Sequence, residues 1–124
     1  MTVWHPEEMN PAFAAAVNSG DVGNLLALYE PDALLAARPG ERARGTGEIR
    51  VALEGLLALG GRMESRNVYC MQVEDIALLQ GEWRLVATLP DATPLELTSR
   101  TAEVVRRQPD GSWLYVIDHA FASD

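Results

Sequence analysis

The sequence predicts an α+β fold: three N-terminal helices packed on one face of a strongly curved, mostly antiparallel sheet of four to five strands. Three observations predict it. Apolar residues recur at helical spacing as far as Leu59, whereas β-prone, alternating runs take over from Met63. Helices gathered before strands are the order expected when helices cover one face of an antiparallel sheet. The stretch Leu95 to Ala120 carries two runs rich in Thr, Val, Ile, Tyr and Trp on either side of Pro109-Asp110-Gly111, which reads as a hairpin closed by a Gly bulge.

Each element follows from local chemistry. Pro6-Glu7-Glu8 suits a helix start, because proline fits the first turn and two acids face the positive end of the helix dipole. Met9, Ala12, Phe13, Ala16 and Val17 continue the helix, and Gly20 stops it. Asp21 caps a second helix with an apolar face of Val22, Leu25, Leu26, Leu28 and Tyr29, ended by Pro31-Asp32. Ala33 to Ala37 reads as a brief strand, and Arg38 to Gly47, with three glycines and a proline, as a loop. Thr46 is the expected cap of a third helix marked by Ile49, Leu53, Leu56, Leu57 and Leu59 and ended by Gly60-Gly61. Met63 to Val73, Ile76 to Thr88, Leu95 to Arg107 and Ser112 to Phe121 are the four main strands. No linker or repeat interrupts the 124 residues, so one domain over 1–124 is expected.

Composition narrows the function classes. Ten basic against 18 acidic residues give a net charge of −8, which argues against nucleic-acid or anionic-membrane binding. A small local basic patch at Arg100, Arg106 and Arg107 stays compatible with that balance. The single Cys70 points to a reducing compartment. No signal peptide is evident, and no apolar run approaches the ~20 residues of a membrane span, so a cytoplasmic location is expected. His5, His119 and Cys70 lack metal-site spacing, and no motif requires a cofactor. Gly45-Thr46-Gly47 lacks the lysine of a phosphate loop and reads as a turn and cap.

Gly20-Asp21 with Leu25 to Tyr29, Pro31-Asp32-Ala33, Gly45-Thr46-Gly47 before Ile49-Arg50, Thr101 to Arg107, Asp110 to Trp113 and Ile117-Asp118-His119 together form a familiar order of elements. That order resembles the nuclear transport factor 2-like superfamily, in particular its SnoaL-like and ketosteroid isomerase-like branch. The resemblance implies an open, cystatin-like cone whose helices close a pocket against the concave sheet. It also implies a range of roles: isomerases, dehydratases, polyketide cyclases, epoxide hydrolases and non-catalytic assembly domains, many of them homodimers. Fold therefore leaves function to the site. The steroid-isomerase pattern maps its phenolic donor onto Phe13, its base near Ala36-Ala37 and its carboxylic-acid donor at about Glu103. Only the last keeps suitable chemistry, so that mechanism is not expected.

With a three-residue hairpin loop, Thr101, Glu103, Val105, Tyr115, Ile117 and His119 share one side of the sheet. Glu103 and His119 then become diagonal neighbours, about 7–8 Å apart, suited to general acid–base work. The competing reading makes His119 a polar strand end and pairs Glu103 with an arginine. Phe13, Tyr29, Trp83 and Thr101 are the expected pocket residues, with core packing the alternative for the aromatics. Arg38, Arg42 and Arg44 either guide an anionic ligand to the pocket mouth or belong to a solvated loop. Trp113 and Tyr115 alternate with Leu114 and Val116, which calls for cover on both faces and suggests a homodimer through the outer sheet. The expected function is a cofactor-independent isomerase, lyase or cyclase acting on a small hydrophobic carbonyl compound. The alternative is a non-catalytic ligand-binding or dimeric assembly module.

Overall fold

The computed structural model describes residues 2–122. A single 3-10 turn at Pro6–Glu8 leads into α1 (Met9–Ser19), which ends where Gly20 takes a φ of +74° that glycine alone adopts freely. Asp21 caps α2 (Val22–Leu26) by accepting a hydrogen bond from the Gly23 backbone N–H at 2.8 Å. This helix is shorter than its apolar spacing predicts. The Leu28 carbonyl accepts the Tyr115 backbone N–H at 2.8 Å, so the chain has already entered the sheet, and Tyr29 opens β1 (Tyr29–Ala36). Pro31 and Asp32 lie inside that strand, exposed, where its pairing slips between Tyr29 and Leu34.

The expected loop contributes a two-residue strand, β2 (Ala43–Arg44), antiparallel to β1. Helix α3 (Gly45–Leu57) starts without the Thr46 cap. Instead Glu48 reaches back to accept the Arg44 backbone N–H at 2.9 Å. Then follow β3 (Arg62–Val73), β4 (Ile76–Thr88), β5 (Pro94–Arg100), β6 (Ala102–Arg107) and β7 (Trp113–His119). The sheet runs β2-β1-β7-β6-β4-β3, with β5 also paired to β4, and among the described residues only β1 and β7 are parallel neighbours. Among the described residues it has seven strands rather than four to five, because β2 joins it and the run Leu95 to Arg107 breaks in two at Thr101.

That break bends the sheet. Strand β4 pairs with β6 over Ile76–Leu79 and with β5 over Glu82–Thr88. At the hand-over, Gly81 donates its N–H to Thr101 Oγ1 at 2.8 Å and accepts the Thr101 N–H at 2.9 Å. On the other side of Gly81, β3 carries a register shift between Asn67 and Tyr69. A bulge, a glycine and a strand break aligned across three strands produce the local twist that an open, curved sheet needs.

The concave face is covered by α1 and α3. Met9, Leu25, Ile49, Leu79, Leu85, Val105, Trp113 and Tyr115 are fully buried, each large side chain stabilising the fold by about 1.5–3 kcal/mol. The convex face is different. Met71, Leu78, Val104 and Ile117 are direct cross-strand neighbours and form one apolar row, in which Met71 is 56% and Ile117 42% exposed. Among the described residues no helix is long and apolar enough to cross a membrane.

Candidate functional site

Between the helices and the concave sheet lies a cavity of about 350 Å³, within the range of small-molecule sites. Asn10 and Phe13 of α1 and Leu53 and Leu56 of α3 form its roof; Met63, Trp83, Leu97, Thr101, Glu103, Tyr115 and Asp118 form its floor. Ala37 and the exposed Arg38 belong to its rim. Most of the lining is apolar. Asn10, Thr101, Glu103 and Asp118 supply polar groups whose side chains are buried.

The placement of Asp118 depends on one irregularity. From the turn, Arg107 faces Trp113 and Val105 faces Tyr115, as a three-residue loop requires. Val104 then faces Ile117, so β7 contains one extra residue, Val116, and the alternation of its side chains reverses. Asp118, 4% exposed, turns inward opposite Glu103, while Ile117 turns out. His119 pairs with Ala102 and lies outside the cavity lining. The expected Glu103–His119 neighbourhood is therefore replaced by a Glu103–Asp118 pair.

Phe13, Trp83 and Thr101 line the cavity. Tyr29 does not: it sits behind the wall, its ring 5.1 Å from that of Tyr115, and donates its hydroxyl to Asp118 Oδ2 at 2.5 Å. Trp83 is held by its indole N–H, which donates to the Ala120 carbonyl at 2.8 Å, and by an edge contact with Phe121. Two residues that sequence reasoning gave no site role complete the arrangement. The Tyr115 hydroxyl donates to Asn10 Oδ1 at 2.7 Å, which fixes the amide so that Nδ2 donates to Glu103 Oε1 at 3.2 Å. The signal for Asn10 is present in α1, where it lies three, four and seven residues before the inward-facing Phe13, Ala14 and Val17.

Burial sets the electrostatics. Removal from water, and then the negative Asp118, push the Glu103 carboxyl up to about 8, with hydrogen bonds from Thr101 and Asn10 acting in the opposite direction. Burial likewise pushes Asp118 up to about 6, partly offset by the Tyr29 hydroxyl that favours its ionised form. Near neutral pH the pair thus shares one proton and one negative charge. An acid and a base side by side in an apolar cavity is the arrangement that proton transfer to and from carbon needs. Among the described residues, no group of three or more His, Cys, Asp or Glu side chains is placed to hold a metal ion.

Comparison with known proteins agrees with this architecture. A Thiobacillus denitrificans protein described as a candidate calcium/calmodulin-dependent protein kinase type II association domain superposes with a TM-score of 0.79 at 18% identity, covering 98% of this chain and 97% of that one. A candidate dehydratase of the NTF2-like family from Streptomyces avermitilis gives 0.75 at 18% identity, over 90% and 88%. An NTF2-like protein with a cystatin-like fold from Novosphingobium aromaticivorans gives 0.76 at 19%, over 90% and 75%. At these identities the likeness is one of fold. No curated protein matches the sequence. The SnoaL-like domain model matches residues 11–116, from the roof helix to the strand that carries the bulge, and the chain therefore belongs to the SnoaL-like domain family.

Proposed function

We propose that this protein is a cofactor-independent acid–base enzyme, an isomerase, lyase or cyclase, acting on a small hydrophobic carbonyl compound. The observation that carries this reading is the buried Glu103–Asp118 pair, whose surroundings leave one carboxyl protonated and the other ionised. The acid–base role expected of His119 passes to Asp118. Its carboxylate takes a proton from the carbon beside the carbonyl. The Glu103 carboxylic acid donates a hydrogen bond to the carbonyl oxygen as negative charge gathers there. Asn10 and Thr101 orient Glu103, and Tyr29 steadies the Asp118 carboxylate. Return of the proton to a different carbon gives isomerisation; loss of a leaving group gives elimination.

Deuterium exchange tests the proposal without a known substrate. Decan-2-one in D₂O is followed by proton NMR for loss of the hydrogens beside the carbonyl. Wild type accelerates exchange, and Asp118→Asn reduces the acceleration by about 10²-fold or more, the usual contribution of a positioned base. Full activity in Asp118→Asn would remove Asp118 as the base.

We further propose that the convex face closes against a second copy of the chain. The support is the apolar row Met71, Leu78, Val104 and Ile117, which no other element covers among the described residues. Two of the similar structures are themselves described as association domains. Light scattering tests the idea: wild type runs as a dimer and Leu78→Glu as a folded monomer, whereas a monomeric wild type refutes it.

A further inference from the structure

We propose that the molecule taken up by the cavity is a hydrophobic oxo-acid, held with its carbonyl at the Glu103–Asp118 end and its carboxylate on Arg38 at the mouth. The inference rests on the acid–base reading above and names the substrate class of that site. Three observations carry it.

First, Arg38 is the single basic side chain among the described residues lining the cavity, and it is exposed at the rim. The ion pairs of the described residues engage Arg66, Arg84, Arg100, Arg106 and Arg107, and none engages Arg38. Second, its connection is net basic. Arg42 and Arg44 follow Arg38 against the one acid Glu41, in a chain whose net charge of −8 otherwise repels anions. Third, the orientation is set by like charge. Glu103 and Asp118 already share one negative charge in a low-dielectric site, so a carboxylate driven in beside them would be expelled. Only the outward-facing end of a bound molecule meets a cation.

The separation follows from the end of β1. Asp118 is opposite Leu35, the strand closes at Ala36, and Arg38 lies in the bend beyond it, so a bound molecule has to reach from the cavity floor to the rim. A carbonyl and a carboxylate separated by a medium-length methylene chain meet both ends, with apolar contacts to Leu53, Leu56 and Trp83 between them.

The test compares 9-oxodecanoic acid with decan-2-one, which has the same carbonyl and chain but no carboxylate. Binding of each to wild type and to Arg38→Gln is measured by titration calorimetry at low and high salt. Arg38 is exposed, so the variant keeps the fold, and its thermal melt checks this. The expected result is that wild type binds the oxo-acid roughly threefold to fivefold more tightly than the ketone at low salt. That advantage fades at high salt and is absent in Arg38→Gln. Equal affinity for the two probes in wild type, or an advantage that survives in Arg38→Gln, overturns the oxo-acid inference and leaves the cavity reading standing. Binding of neither probe overturns both.

Discussion

Replacing Glu103 with glutamine tests the buried carboxyl pair through stability alone, with no substrate required. The carboxyl is displaced from its ordinary value of 4.5 to about 8, mainly by burial. An acid whose value is raised by folding contributes full stability below the unfolded value and loses it as pH rises through the folded one. With ~1.4 kcal/mol per tenfold change, the displacement costs roughly 5 kcal/mol once Glu103 is fully ionised, and about 3 kcal/mol of that is lost between pH 6 and 9. Asp118, raised to about 6, loses most of its share by pH 7. The groups held below their ordinary values, Glu30, Asp91 and Asp110, titrate on the acid side of this window. Urea unfolding of wild type and Glu103→Gln at pH 6 and pH 9, at one fixed protein concentration, gives the two slopes. Wild type is expected to lose about 3 kcal/mol more than the variant across that interval. Parallel pH dependences would show that Glu103 ionises in the folded protein as easily as in the unfolded chain. The acid role assigned to it would then fail.

Three further outcomes follow from the same geometry. The rate of deuterium exchange should be bell-shaped in pH, rising as the Glu103–Asp118 pair loses its first proton near 6 and falling as it loses the second near 8; a flat profile from pH 5 to 9 would contradict the assignment. Tyr29→Phe removes the hydroxyl that favours the Asp118 carboxylate, so the acidic limb of that profile should move to higher pH, with about 1–2 kcal/mol lost in urea unfolding. Gly81→Ala would place a Cβ 2.7 Å from Asn10 Nδ2 and 3.1 Å from Thr101 Oγ1. It should cost about 1–3 kcal/mol and abolish exchange, because it pushes apart the two side chains that orient Glu103; wild-type activity in that variant would separate Asn10 from the site.

Much of the fold was legible because burial leaves a period. The switch from helical to alternating spacing near Gly60-Gly61 marks the boundary between α3 and the sheet, and Pro109-Asp110-Gly111 closes the last hairpin with Gly111 at φ +91°. What was not legible lies where a tertiary contact overrode a local preference. Tyr29 continues the apolar face of α2 on paper, but the backbone bond between Leu28 and Tyr115 draws it into the parallel pairing of β1 with β7. Thr46 is a good cap by type, but the helix already begins at Gly45, which leaves Thr46 inside its first turn and Arg44 at the cap position. The long run Leu95 to Arg107 contains no breaker; it divides at Thr101 because β4 changes partner at Gly81.

The candidate site shows the same conflict most sharply, and its cause is energetic rather than accidental. Hydropathy places Ile117 inside and Asp118 outside, and a regular ladder would do so. The structure does the reverse, burying a carboxyl and leaving Ile117 42% exposed. Neither Gly nor Pro announces the bulge at Val116. It is tolerated because the buried polar groups are matched: Tyr29 donates to Asp118, and Asn10, itself held by Tyr115, donates to Glu103. Among the described residues no buried side-chain N or O atom lacks a partner. A core built only for stability would exchange this network for leucines, since burying two acidic groups side by side costs free energy at neutral pH. The cost is confined to the cavity floor, and the exposed Ile117 completes the apolar row on the opposite face. One extra residue in β7 thus serves two surfaces at once, turning a carboxyl toward the cavity and an isoleucine toward the proposed partner subunit.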